Sequence, residues 1–267
     1  MLNLLDDLPN NRLLAALPIS ELRALAPHLR RVHLKCGQLL SDSGEMIKSV
    51  YFPTTAVISL LCLMEDGASI EVAAVGNEGI AGVPALTGGN AMPNRMEVSA
   101  EGYGYAINAQ HFKTEFEHSP VINRLMLLYI QALMTQIAQS ALCNRRHSVD
   151  EQLCRWLLLA HDRRPGDELV TTQQMIANTL GVRREGVTEA AGNLESAGLI
   201  RRHRGRITVS DREGLEERTC ECYSIIKGEF QRLLPGRTEE RQHAMVSTIH
   251  AAIPVSTPRQ PAHTIQW

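Results

Sequence analysis

Arg183, Arg184, Arg201, Arg202, Arg204 and Arg206 fall within 24 residues of a 267-residue chain. Arginine meets phosphate oxygens and guanine edges with two parallel N–H donors. Glu185, Thr188 and Glu189 stand among them. Glutamate can accept from cytosine N4, and threonine can serve several base edges. Together these side chains could read duplex DNA. A charge run alone is more often a solvated surface, so the argument depends on the elements that hold it.

Residues 171–210 read TTQQMIANTLGVRREGVTEAAGNLESAGLIRRHRGRITVS. Thr171 or Thr172 suits the cap of a short helix ending at Leu180, with Ile176, Ala177 and Leu180 inward. Gly181 supplies a tight turn, and Val182 plugs it. A second helix is expected over 183–196, with Val187, Ala190, Ala191 and Leu194 inward. Two short helices joined by a glycine turn form a helix-turn-helix. Gly198 ends the second helix, and residues 199–200 and 206–210 read as strands around a turn at 203–205. That hairpin is a wing. Arg183, Arg184, Glu185, Thr188 and Glu189 then occupy the exposed start of the helix that enters a major groove. Arg201, Arg202, Arg204 and Arg206 supply phosphate contacts.

Upstream, residues 10–27 look helical, with Ser20 placed to help cap a second short helix. Short apolar runs follow at 50–52, 57–63, 70–75, 96–98 and 103–107, separated by glycines, with Asp66-Gly67 as a hairpin signal. This pattern predicts a β-sandwich or β-barrel-like domain. A long helix is expected from Ser119-Pro120 to about Cys143. Met126, Ile130, Leu133, Ile137 and Ala141 recur along it at steps of three and four. Such a seam packs against another helix. Both a second copy of the chain and the chain's own β domain fit it. A further helix is expected over 149–160, then a loop over 162–167. Residues 215–234 are compatible with one more helix, and 253–267 with a disordered tail.

Bulk properties agree. Residues 1–118 carry 8 basic and 13 acidic groups, whereas 145–210 carry 11 and 8. One part of the chain therefore suits a phosphate backbone and the other does not. Aromatic content of 4% argues against a stacking platform for single strands. No uninterrupted apolar run reaches the length of a membrane span, and the N-terminus lacks a basic signal region; a cytoplasmic protein with no membrane partner is expected.

The order of β-roll, long helix and winged helix-turn-helix resembles the Crp/Fnr family of transcription regulators. The segment Gln174-Met175-Ile176-Ala177 through Gly181 to Arg184-Glu185 and Val187 is similar to the family's I-A-x-x-x-G-x-x-R-E-x-V signature. The resemblance covers about residues 15–212 and is most specific at its C-terminal end. It implies an α+β fold: an N-terminal β-roll like a cyclic-nucleotide-binding jelly roll, a dimerisation helix and a C-terminal winged helix-turn-helix. The corresponding spans are 1–118, 119–146 and 147–212, followed by an extension over 213–267. The implied partners are double-stranded DNA, a second copy of the chain, RNA polymerase and a small-molecule effector. Two departures bear on readout. Glu189 stands where the family often has a guanine-facing arginine, and Arg183 stands where a small capping residue is usual.

The resemblance also places an effector cassette at 79–86, with Gly79, Gly82 and Arg95 as its candidate residues. Cyclic-nucleotide binders carry a glutamate where Gly82 stands, so cyclic AMP is not expected to bind. An iron–sulfur cluster needs four ligands, and the N-terminal half offers only Cys36 and Cys62. His28, His33, His111 and His118 form no recognisable haem motif. The Asp6-Asp7, Glu65-Asp66 and Glu115/Glu117 groups read as solvated acids. Cys220 and Cys222, two apart on a helix, would not share a face and read as incidental. No metal, cofactor or catalytic constellation is expected. The alternative from another class is a β-roll ligand-binding or cupin-like enzyme with an ancillary C-terminal domain.

Overall fold

The computed structural model describes residues 10–164 and 166–234. The acidic N-terminal pair and the tail expected at 253–267 lie outside the described residues.

Two short helices open the described chain: α1 (Arg12–Ala16) and α2 (Ile19–Leu25). Asn11 caps α1 by accepting from the Leu13 and Leu14 amides. Pro18 precedes α2, so Ser20 lies inside that helix and not at its cap.

Seven strands follow: β1 (Arg30–Leu34), β2 (Leu39–Ser41), β3 (Ser49–Pro53), β4 (Val57–Leu63), β5 (Ser69–Val75), β6 (Arg95–Ala100) and β7 (Gly102–Asn108). They form two antiparallel sheets, ordered β1-β7-β3 and β2-β6-β4-β5. Leu34, Val50, Phe52, Ile58, Met96, Val98, Tyr105 and Ile107 fill the space between them. The turn at Asp66-Gly67 joins β4 to β5, with Gly67 at φ +85°.

Next come α3 (Ala109–His118), α4 (Pro120–Arg146) and α5 (Val149–Asp162). Ser119 caps α4 with Pro120 at its first position. Ser148 and Glu151 form a capping box on α5. By length and composition alone α4 could cross a bilayer, which reading the sequence for apolar runs did not anticipate. Its inner face instead packs on protein. Ile122, Met126, Tyr129 and Leu133 are buried, and the Gln136 amide donates to the Ala74 carbonyl of β5.

The C-terminal part contains β8 (Glu168–Val170), α6 (Gln173–Leu180), α7 (Arg184–Ser196), β9 (Ile200–His203) and β10 (Arg206–Val209). The expected wing is a three-stranded sheet, β8-β10-β9. The region expected as one helix over 215–234 is two: α8 (Arg212–Arg218) and α9 (Glu221–Leu233). Arg212 ties them to α5, donating to Asp162 at 2.7 Å and to the Tyr223 hydroxyl at 2.6 Å. The other end of α9 lies on α4, where Phe230 meets the edge of Tyr129.

The C-terminal elements also dock on the β-roll. Arg163, at the end of α5, is buried and bonds Glu78 at 2.7 Å and the Ala74 carbonyl at 3.0 Å. Gly181, at φ +65°, abuts Ile70 of β5, leaving no room there for a side chain.

The residues of the seam expected on α4 divide between two faces of the helix. Met126 and Leu133, 1% and 6% exposed, belong to the chain's own core. Their neighbours Leu127 and Met134 are 54% and 65% exposed, and Ile137 is 37% exposed. The outward apolar stripe is therefore Leu127, Ile130, Met134, Ile137 and Ala141, still in steps of three and four. The β-roll claims the adjoining stripe.

Candidate nucleic-acid interface

Thr172 caps α6, its hydroxyl accepting from the Met175 amide. Gly181 turns the chain in the left-handed region, which a side chain would resist. α7 then begins at Arg184, with Arg183 as a cap whose side chain makes no capping bond. Val187, Ala190, Ala191 and Leu194 are buried beneath it. Arg183, Arg184, Glu185, Thr188 and Glu189 are all exposed on its outer side. The predicted reading side chains thus share one face at the helix start.

The wing arginines divide into two kinds. Arg202 donates through its backbone amide and its Nε to the two oxygens of Glu195, at 2.8 and 2.7 Å. Those bonds hold the Glu195 carboxyl below the usual range. They also fasten β9 to the end of α7, so Arg202 is a brace within the domain. Arg206 pairs with Glu168 at 2.9 Å, joining β10 to β8. Arg201 and Arg204 are exposed and make no ion pair among the described residues. In the sequence all four are equivalent candidates for phosphate contacts. Of the four, only Arg201 and Arg204 can turn to a phosphate without first breaking a carboxylate contact.

Thr188 is similarly engaged. Its hydroxyl has Gln173 Oε1 and the Arg184 carbonyl as acceptors, each at 2.9 Å. From the sequence, Gln173 has no assigned role and Gln174 none beyond its place in the signature segment; both stand at the start of α6. With Arg184, Arg204 and Gly205 they line an open cavity of about 480 Å³ between α6, α7 and the wing. Backbone amides at a helix start favour an anion there, and two flanking arginines strengthen that preference.

The effector residues fare differently. Gly79 and Gly82 lie in the turn after β5, and both are buried. The Tyr129 ring fills the space beside Gly79. Its hydroxyl donates to the Ile80 carbonyl at 2.8 Å, and the Asn11 amide donates to the Gly79 carbonyl at 2.9 Å. Gly82 adopts φ +109° against the backbone of β3. Arg95 is elsewhere engaged, gripping Asp42 through Nε and Nη2 at 3.0 and 2.7 Å. It lines a cavity of about 390 Å³ with Ser59, Glu97 and Asn178, whose walls include neither glycine. The three residues therefore do not form one site, because the chain's own tyrosine and aspartate hold them.

The fold and this exposed face define a winged helix-turn-helix protein with a β-roll ahead of it. Residues 151–218 match the Crp-like helix-turn-helix domain. Among solved structures, FixK2 from Bradyrhizobium japonicum aligns with TM-score 0.63 at 15% identity, covering 72% of this chain and 98% of its own. A Crp-family transcriptional regulator from Thermus thermophilus aligns with TM-score 0.59 at 19% identity, covering 71% and 95%. The c-di-GMP-responsive global regulator CLP of Xanthomonas campestris aligns with TM-score 0.58 at 14% identity, covering 72% and 99%. No curated protein matches the sequence. Residues 151–218 are therefore a Crp-like helix-turn-helix domain, and the chain as a whole shares the fold of these Crp/Fnr-type regulators.

Proposed function

We propose that the chain acts in the cytosol as a homodimer on a palindromic DNA site. The observation that carries this reading is the exposed start of α7, where Arg184, Glu185 and Glu189 stand clear beside the wing. Two such helices, related by a two-fold axis, enter successive major grooves about 34 Å apart. The outward stripe Leu127, Ile130, Met134, Ile137 and Ala141 supports pairing of α4 with its symmetry mate. Arg184 reads a base edge, while Arg201 and Arg204 hold phosphates. Glu189 in place of an arginine gives a half-site distinct from the usual family one.

The effector in this reading is a small molecule other than cyclic AMP. Gly82 offers no carboxylate for ribose hydroxyls, and Tyr129 occupies the space over Gly79. RNA polymerase is the protein partner such a regulator addresses.

The test selects a binding site from random duplexes, then measures anisotropy for wild type, Arg184→Ala and Arg204→Ala across a salt series. Arg184→Ala is expected to cost about 1–3 kcal/mol on the selected site and to relax preference at one base pair per half-site. Arg204→Ala is expected to weaken selected and random duplexes alike and to flatten the salt dependence. Failure to enrich any duplex, or reversal of the two mutant phenotypes, overturns the reading.

A further inference from the structure

Four side chains with no part in DNA binding converge where the end of α4 meets the start of α9. Cys143 lies in the last turn of α4, and His147 follows it by four residues, on the same side of the helix. Cys220 precedes α9, and Cys222 lies in its first turn. The break between α8 and α9 lets both cysteines face α4, where one continuous helix would have separated them. The three cysteines are buried, and the His147 side chain is only 14% exposed.

Their donor atoms all lie within 4.8 Å of one another. The Cys143 and Cys220 sulfurs are 3.6 Å apart, and Cys222 Sγ is 3.7 Å from His147 Nδ1. A tetrahedral zinc ion about 2.3 Å from sulfur and about 2.1 Å from nitrogen sets its donors roughly 3.5–3.8 Å apart. The two closest pairs already have that spacing. An iron–sulfur cluster, with its ligands spread over several irons, needs the donors farther apart.

We propose that Cys143, His147, Cys220 and Cys222 bind one Zn²⁺ in a closed tetrahedral site that fastens α9 to α4. Three sulfurs and one imidazole suit zinc, and four protein ligands make the site structural, with no position left for a substrate. The surroundings fit. His147 Nε2 lies 3.3 Å from a Glu221 carboxylate oxygen, the outer contact that fixes a ligating imidazole with Nδ1 toward the metal. Three thiolates and a dication leave one net negative charge in a buried place. Arg155 is buried on α5 with an unpartnered Nε. Its guanidinium acts on Cys143 and provides the compensating charge.

The test uses the full chain, purified under reducing conditions, with Zn²⁺ and Co²⁺ as probes. The expected result is one zinc per chain after gel filtration. The cobalt form is expected to show tetrahedral ligand-field bands and thiolate-to-cobalt charge transfer. Glu221→Ala is expected to weaken zinc by about 10–100-fold, and Cys220→Ser by more than that. Cys36→Ser and Cys62→Ser, at exposed thiols away from the site, leave binding unchanged. His147→Cys, which keeps four donors, retains one metal and shifts the charge-transfer band. If Cys220→Ser does not fold, wild type and His147→Cys decide the question. Sub-stoichiometric zinc, an octahedral cobalt spectrum, an iron–sulfur chromophore, or binding indifferent to both Cys220→Ser and Cys222→Ser overturns the proposal. DNA affinity is not read, so the result stands apart from that of the DNA experiment.

Discussion

Replacing Arg163 with methionine keeps the aliphatic stem and removes the charge from the contact between the β-roll and α5. Wild-type Arg163 and Glu78 side chains are 8% and 11% exposed and meet at 2.7 Å. Once the guanidinium is gone, the Glu78 carboxylate keeps only the Gly76 amide, at 3.2 Å. Its other oxygen has no hydrogen-bond partner even in the wild type. The Ala74 carbonyl is not orphaned, since Gln136 also donates to it at 3.1 Å. The cost therefore comes from one uncompensated buried charge, which is worth about 3–5 kcal/mol. A cavity of about 200 Å³ beside the pair admits water and places the expectation near 3 kcal/mol. Urea unfolding followed by far-UV circular dichroism measures it. Trp156 fluorescence reports the same contact, because this tryptophan lines the cleft between the β-roll and the DNA-binding elements. The double variant Arg163→Met with Glu78→Gln is expected to recover at least about 1.5 kcal/mol relative to additivity. A single-variant cost under about 1 kcal/mol, or a strictly additive cycle, would show that the pair does not hold these parts together.

Leu127→Asp with Met134→Asp is expected to give folded monomers in sedimentation, because both side chains are outward. Met126→Asp is expected to unfold the chain, by burying a charge at a 1% exposed position. Gly181→Ala should cost about 1–2 kcal/mol for its left-handed φ, plus crowding against Ile70. Adding Ile70→Ala should relieve only the crowding, and thermal melts of the two variants separate the contributions. Tyr129→Phe leaves the buried Ile80 carbonyl without its hydroxyl donor and is expected to cost about 1–3 kcal/mol in urea unfolding. A neutral result there would mean that water takes the place of the hydroxyl.

The helix-turn-helix was legible because each position in its signature has one physical task. Ile176 and Ala177 fill the core, Gly181 takes the positive φ, and Val187 closes the second helix over the first. The seam on α4 was legible as a period but not as a face. Apolar residues at 125–130 and 132–134 offer two neighbouring stripes. Only contact with β5 and α9 decides which one is inward. β8 escaped notice because three residues, Glu168–Val170, become a strand only by pairing with β10. The roles of Arg202 and Arg206 depend on Glu195 and Glu168, carboxylates whose separation in sequence carries no signal. The same holds for Cys143 and Cys220, 77 positions apart and in sulfur contact. A cluster assembled from two helix ends leaves no spacing to read.

The placing of β7 between β1 and β3 has a consequence for synthesis of the chain. β1 pairs along its length with β7, whose first residue leaves the ribosome about 70 residues after the last residue of β1. At roughly 5–20 residues per second, β1 waits between about 3 and 14 s without its partner strand, its backbone donors and acceptors met only by water. An extended segment left open for that time can pair with another nascent chain. Its sequence, RRVHL, opens on two adjacent guanidinium groups, Arg30 and Arg31, which repel a like strand brought alongside in register. The charges that solvate this edge of the finished β-roll would thus serve first as a guard during translation, before the sheet they belong to exists.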